Sequence, residues 1–291
     1  MKSQKTAKKP HKIMAIVPVY NEAKNLHKTL NPLNDMLNEG KIDGIIAIND
    51  GSKDSSQRKL EAYLENPGFI NIVLPENMGK AFAFYCAAKA SYQMGADIIL
   101  MLDADLLKVS EEQIDMLINP ILNNENINMT IGTTKESITY LSGQRALRIK
   151  ALEPILDDKK KISWFQLFKQ IFRRKKSIIP WFYLITGIVI DKNEKPEVVK
   201  RIGYGLEVVL NMFIESKFIT TYDSHGFIQP KFLKHTRIVD TNFFSDVPSF
   251  CKTRYAYSKD RSDQMSMEIN GLICKLGRYY RVHTPESIEF R

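Results

Sequence analysis

The stretch Ile99–Leu107, ILMLDADLL, runs an apolar segment straight into two carboxylates, Asp103 and Asp105, with a single alanine between them. So continuous an apolar run reads as a strand covered on both faces, and apolar surroundings penalise a pair of negative charges. Something positive has to meet them. Along extended backbone, residues two apart point to the same side, so Asp103 and Asp105 can present their carboxylates to one ion or one ligand. At the end of a buried strand this suits a hard divalent cation whose remaining ligands are waters and phosphate oxygens. Taken alone, a D-x-D reads more simply as a helix cap beside a solvated side chain; its surroundings have to decide.

Outward from this stretch, the first half of the chain alternates two periodicities. KIMAIVPV, GIIAIND, NIVLPE, DIILMLDAD and NMTIGT read as strands. EAKNLHKTLNPLNDMLN, SSQRKLEAYLE, GKAFAFYCAAKASYQMG and SEEQIDMLINPILN carry apolar residues at helical spacing. Strands separated by helices of ten to fifteen residues imply βαβ crossovers, hence an α/β fold with a mainly parallel sheet and helices on both faces. In such sheets ligands bind beyond the carboxyl ends of the strands. Three segments of special composition fall there: PVYNEA, NDGSKDSS and DADLL. The second half is less regular. LSGQRALRIKALEPIL reads as a helix after Gly143, and YGLEVVLNMFIESK as a helix opened by Gly203 and Gly205.

Composition bounds the alternatives. A chain of 291 residues with 44% hydrophobic content can build a full core, and its formal charge of +9 favours anionic partners. Cys86, Cys251 and Cys274 are odd in number and unpaired by any C-x-x-C spacing, which argues against a disulfide framework or a zinc knuckle and for a reducing, cytoplasmic setting. Residues 1–12, MKSQKTAKKPHK, read as a disordered basic tail without the apolar stretch of a secretory signal. The longest mostly apolar segment, SIIPWFYLITGIVI, falls short of the roughly 20 residues a membrane span needs. Residues 13–240 are expected to form the main domain, with a basic aromatic insertion at about 157–182, and residues 241–291 a C-terminal extension packed on it.

Other segments carry chemistry of their own. In NDGSKDSS, Asp50 follows a strand and Asp54 is placed to cap the next helix. ENMGKAF puts Gly79 and Lys80 at a helix start, where backbone N–H groups and an ammonium both favour a phosphate. This is not a Walker A loop, because the glycine required five positions before Gly79 is replaced by Leu74.

In order and spacing, IVPVYNEAKNL, INDGSKDSS, ENMGKAFAF and DIILMLDADL resemble the family 2 glycosyltransferases, with their nucleotide-sugar-binding GT-A fold, over roughly residues 13 to 135. The resemblance implies that Pro18, Tyr20 and Glu22 line a nucleoside pocket and that Asp50 contacts the base. It further implies that Lys80 lies near the nucleotide, and that Asp103 and Asp105 hold Mg²⁺ or Mn²⁺ on a donor diphosphate. LSGQRALR, GYGLEVVLN and KFLKH are similar to the small members related to glucosyl-3-phosphoglycerate synthase and mannosylglycerate synthase. By that likeness Ser142 and Gly143 lie beside the donor sugar, Glu207 contacts sugar or acceptor, and His235 completes the metal shell. Asp105 and Glu207 are then expected nearest the chemistry.

The glycerate-binding signature of those synthases is not recognisable, so their acceptor does not carry over. The Q-x-x-R-W motif of processive synthases is also missing, since Ile149 follows Arg148. The expected function is metal-dependent transfer of a hexose from a UDP- or GDP-sugar to a small phosphorylated or carboxylated acceptor, the oligomeric state being open, a homodimer included. A second reading is a polyprenyl-phosphate glycosyltransferase at the inner face of a membrane. It draws on residues 164–176, where Trp164, Phe165, Leu167, Phe168, Ile171 and Phe172 share one helical face ahead of four cations. Packing of that helix on its own domain is the plainer alternative. A nucleotidyltransferase would need a glycine-rich loop after the first strand, where PVYNEAKN has none. A non-catalytic nucleotide-sugar-binding protein is disfavoured by the full set of metal and donor residues. No nucleic-acid recognition module is present in the sequence.

Overall fold

The computed structural model describes residues 11–133, 142–157, 188–190, 196–198, 206–215 and 234–241. Within them the chain runs β1 (Ile13–Val19), α1 (Leu26–Asn38), β2 (Gly44–Asn49), α2 (Ser56–Glu61), β3 (Phe69–Val73), α3 (Lys80–Gln93), β4 (Ile98–Met101) and α4 (Glu111–Asn123). It continues with β5 (Met129–Thr133), β6 (Arg145–Arg148), α5 (Ile149–Leu156), β7 (Ile188–Ile190), β8 (Pro196–Val198), α6 (Leu206–Glu215) and β9 (Thr236–Asp240). The basic aromatic segment at 164–176 and the extension beyond residue 241 lie outside the described residues.

Seven strands form one sheet in the order β3-β2-β1-β4-β6-β5-β9, and β7 pairs with β8 in a separate ribbon. Pairing is parallel between β1 and β2, β1 and β4, β2 and β3, and β5 and β9, whereas β6 runs against both β4 and β5. The α/β class with a mainly parallel sheet is therefore as expected from the sequence.

Why the middle strands are apolar throughout follows from the two layers that cover them. Met14 and Ile16 of β1 pack into a cluster with Phe84 and Ala87 of α3, Leu152 of α5 and Leu210 of α6. Ala15 and Val17 face the other way, onto Leu30 and Leu33 of α1 and Leu117 of α4. Alternate residues thus serve opposite cores, and burial of each large aliphatic side chain contributes about 2 kcal/mol. α3 meets the sheet through Ala81, Ala83, Ala87 and Ala88, small residues that let the helix axis approach closely. α4 starts cleanly because Ser110 and Gln113 form a reciprocal capping box. Cys86 of α3 is a free thiol, pushed up to about 11 by burial and, after that, by the charge of Asp50.

One element departs from the expectation. The helix read from Gly143 onward is a strand at Arg145–Arg148, followed without a break by α5. Ala146 registers with Leu100 on one side and Thr130 on the other, so this short segment joins β4 to β5 and closes two otherwise open edges. That long-range pairing outweighs the local helical pattern. β7, β8 and β9 are further strands that local periodicity does not reveal.

Candidate active site at the carboxyl rim

Because β1, β2, β3 and β4 are parallel, the residues that follow them share one edge of the sheet. β6 runs the opposite way, so the residues that precede it, Ser142–Gln144, reach that same edge.

Beside β1 and β2 the rim is built from short polar residues. The Asn21 amide donates to Ser52 Oγ (3.0 Å) and the Lys53 amide to Asn21 Oδ1 (2.8 Å). The Glu22 amide donates to Ser56 Oγ (3.0 Å) and the Ala23 amide to Asp54 Oδ2 (3.0 Å). Asn21 adopts a left-handed φ of 54° to make this interlock. Asp54 also accepts from the Ser56 amide at 2.9 Å, but the N-cap position of α2 is Ser55, so Asp54 stands one residue before the cap expected of it. Burial opposes its charge, but the hydrogen bonds from Ser56 and Ala23 outweigh that and hold the carboxyl below the usual aspartate range. Tyr20 is exposed on the rim and Pro18 is half-buried within β1.

Asp50 is buried, and its carboxylate accepts from the backbone amides of Met78 (2.5 Å) and Gly79 (2.9 Å). It thereby anchors the loop that leads into α3. The same loop crosses over Gly51, where φ is +65° and a Cβ would collide with the Glu76 backbone. Only glycine fits both demands.

On the β4 side the groups are charged and come from distant parts of the chain. Lys80 opens α3, and its Nζ lies 2.7 Å from Asp103 Oδ1 and 2.8 Å from Glu207 Oε1 in α6. Burial works against that ammonium, but the two carboxylates outweigh it and hold the lysine above its ordinary range. Asp103 Oδ2 accepts from Gln144 Nε2 at 2.9 Å, and its backbone carbonyl accepts from the buried Thr29 hydroxyl of α1 at 3.2 Å. Gly143 lies so close that a Cβ there would strike the Asp103 carboxylate. The Ser142 hydroxyl donates to Gln144 Oε1 at 2.6 Å. Lys80, Asp103, Ser142, Gly143 and Glu207 are therefore assembled at one place, and Asp50 is joined to them through Gly79. Asp105 is exposed on the turn just beyond Asp103.

His235 is not brought there. It precedes β9, which runs parallel to β4 by way of β6 and β5, so it stands at the amino end of the sheet, opposite the rim that carries Asp103. Its ring Nδ1 lies 3.0 Å from the Asn126 carbonyl and its backbone amide donates to Glu215. The expected place for His235 in a metal shell with Asp103 and Asp105 is corrected accordingly. Residues not singled out in the sequence also belong to the site: Gln144, Arg145 and Asn211. The signal for Asn211 was present, since Glu207, Asn211 and Glu215 recur every four residues in an otherwise apolar helix.

Among the described residues, no three His, Cys, Asp or Glu side chains converge on a point that could hold a metal. Asp103 and Asp105 are hard oxygen donors, and Mg²⁺ is ordinarily held by one or two carboxylates, with water and ligand phosphate completing its shell. By their chemistry these two carboxylates suit such an ion, which would share Asp103 with Lys80 on Oδ1 and Gln144 on Oδ2.

Among known proteins, the chain is 28% identical over 193 residues to the undecaprenyl-phosphate 4-deoxy-4-formamido-L-arabinose transferase of Serratia proteamaculans (strain 568), covering 58% of each. It is 38% identical over 96 residues to the poly-beta-1,6-N-acetyl-D-glucosamine synthase of Staphylococcus aureus (strain COL), covering 33% of this chain and 22% of that one. The chain thus spans 58% of the length of the first relative and about a fifth of the second. Among solved structures, Mycobacterium tuberculosis glucosyl-3-phosphoglycerate synthase in complex with Mn²⁺, UDP-glucose and phosphoglyceric acid matches with a TM-score of 0.43 and 19% identity, over 49% of this chain and 58% of that one. The family model for glycosyl transferase family 2 matches residues 14–182, more than half of the chain and all of the rim from Pro18 to Gln144, so the chain belongs to that family.

Proposed function

We propose that the chain transfers a hexose from a UDP- or GDP-sugar to an acceptor whose nucleophile is already anionic, a phosphate or a carboxylate. The observation that carries this is the Lys80 ammonium held between Asp103 and Glu207 at the carboxyl rim. A departing nucleoside diphosphate develops negative charge on its bridging oxygen, and a cation already fixed in place stabilises that charge without reorganisation. Lys80 and the first-turn amides of α3 supply it from one side. Mg²⁺ or Mn²⁺ held by Asp103 and Asp105 would add Lewis-acid stabilisation of the leaving group. Pro18, Tyr20, Glu22 and Asp50 frame the nucleoside, with Asp50 holding the loop that carries Lys80. Ser142 and Gly143 wall the sugar, and Glu207 accepts a hydrogen bond from sugar or acceptor.

Glu207 also bears on the acceptor. Glu207 Oε1 is already engaged by the Lys80 ammonium at 2.8 Å, whereas a hydroxyl nucleophile needs a group at hand to take its proton. A phosphate is ionised at neutral pH and needs no base. Several relatives are undecaprenyl-phosphate transferases, which supports a polyprenyl phosphate as acceptor within this class. Contact of residues 164–176 with a membrane surface is part of the same proposal. Among the described residues no helix is long and apolar enough to cross a membrane.

The test is a panel of nucleotide sugars with Mn²⁺, followed by thermal stabilisation and donor hydrolysis, then by transfer to a short-chain polyprenyl phosphate and to phosphoglycerate. One UDP- or GDP-sugar is expected to raise Tm and to be hydrolysed only with metal, and an anionic acceptor is expected to accelerate its consumption. If no nucleotide sugar binds with metal, the proposal fails.

A further inference from the structure

Arg145 is the largest fully buried side chain among the described residues, with no solvent exposure. Placing a guanidinium there carries a desolvation penalty, and an apolar side chain would fill the same space more cheaply. What it holds accounts for its presence. Arg145 Nε donates to the Ser142 carbonyl at 2.7 Å, and Nη1 donates to Asn211 Oδ1 at 2.6 Å. Nη1 also lies 3.2 Å from Met129 Sδ. The Ser142 and Asn211 contacts each lead to one of the two carboxylates on Lys80. From Ser142 the path runs through Gln144, whose Oε1 takes the Ser142 hydroxyl and whose Nε2 donates to Asp103. From Asn211 it runs along α6, because Glu207 lies four residues earlier on the same helical face.

α6 is set up to transmit this. Leu206, Leu210 and Ile214 are buried in the core shared with α3 and α5. Its polar face is used at every turn: Glu207 binds Lys80, Asn211 binds Arg145, and Glu215 accepts from the Lys234 and His235 amides at 2.9 and 3.1 Å. Burial lowers the Arg145 pKa to about 10, with the charges of Glu207 and Asp103 working the other way, so the cation persists at neutral pH.

We propose that Arg145 is a positioning residue: its fork clamps the Ser142–Gln144 turn on one side and α6 on the other, and so sets Asp103 and Glu207 on a common Lys80 ammonium. The proposal rests on the donor-site reading above, yet its test requires no donor. The whole chain is labelled with ¹³C-lysine, and the Lys80 ε-methylene signal is assigned by its loss in Lys80→Arg. In the wild type at neutral pH its two protons are expected to be inequivalent, as for a side chain fixed in one environment, and to merge in Glu207→Gln. Arg145→Met and Asn211→Leu are each expected to cause the same merging, and Arg145→Met to add nothing on top of Glu207→Gln. Arg145→Lys, which keeps the charge without the planar fork, is expected to behave as Arg145→Met does.

A folded Arg145→Met with the wild-type Lys80 signal, even at a lowered Tm, would make Arg145 a core cation and overturn the proposal, as would equivalent protons in the wild type. Should Arg145→Met not fold, Asn211→Leu leaves the guanidinium in place and decides by the same signal. A failed nucleotide-sugar panel would leave this result standing, so the two ideas fall separately.

Discussion

Beside β1 and β2, the rim is stitched by Asn, Ser and Asp side chains to backbone amides about thirty residues away, with geometry that leaves little play. Beside β4 and β6, it is assembled from long charged side chains, with Lys80 and Glu207 meeting across 127 positions of sequence. The first kind of bonding fixes a backbone shape. The second fixes charge: the Lys80 ammonium is held at one point by the carboxylates of Asp103 and Glu207. On the proposed function, the shaped half suits a nucleoside, and the half whose charge is already in place suits a diphosphate and its leaving group.

The contrast makes opposite demands on variants. The largest effect is expected at the charged side: Asp105→Ala should lower turnover on the order of a thousandfold, about 4 kcal/mol of transition-state stabilisation, while the protein still folds. Donor hydrolysis beside a melting curve checks this, and near wild-type turnover would remove Asp105 from the chemistry. At the stitched side the order reverses. Gly51→Ala should cost about 1–3 kcal/mol of stability, from its left-handed φ and the crossing loop at Glu76, seen as a lower urea midpoint. Stability close to wild type there would mean that the loop into α3 yields easily, and the contrast would be lost.

The smallest effect is one of pH. The Asp54 carboxyl is held below its ordinary value in the folded chain, so it contributes stability above the unfolded value near 3.8, and that contribution is lost as pH falls through the lower folded value. Asp54→Asn should flatten this part of the acid limb while leaving turnover at neutral pH nearly unchanged. Urea unfolding of both proteins between pH 5 and 2.5 measures it, as approximate bounds around the aspartate range. A parallel pair of curves would show that Asp54 does not bind its proton differently on folding.

How far all this was legible depends on whether the signal was local. The β1–α4 alternation was, because each element carries its own period and its own end signals, as Ser110 and Gln113 do for α4. The order of motifs pointed to Lys80, Asp103 and Glu207, and the fold brings them together. Arg145–Arg148 could not be read as a strand, because its reason for being extended is the gap between β4 and β5, which no neighbouring residue encodes. His235 was misplaced for a related cause. Which end of the sheet a residue occupies depends on the direction of its strand, and direction is settled by sheet order, not by the residues of KFLKH.

The strand that runs against its neighbours also bears on how the chain is put together. β3, β2, β1 and β4 can pair as soon as they are made, but β5 finds partners only in β6 and β9, both of which come later. Until residue 148 has left the ribosome, β4 shows an open hydrogen-bonding edge and β5 has no partner at all. Four residues then pair with both, and the second edge of β5 stays open until β9 is made, so the unpaired edges that invite misassociation during synthesis close only in two late steps.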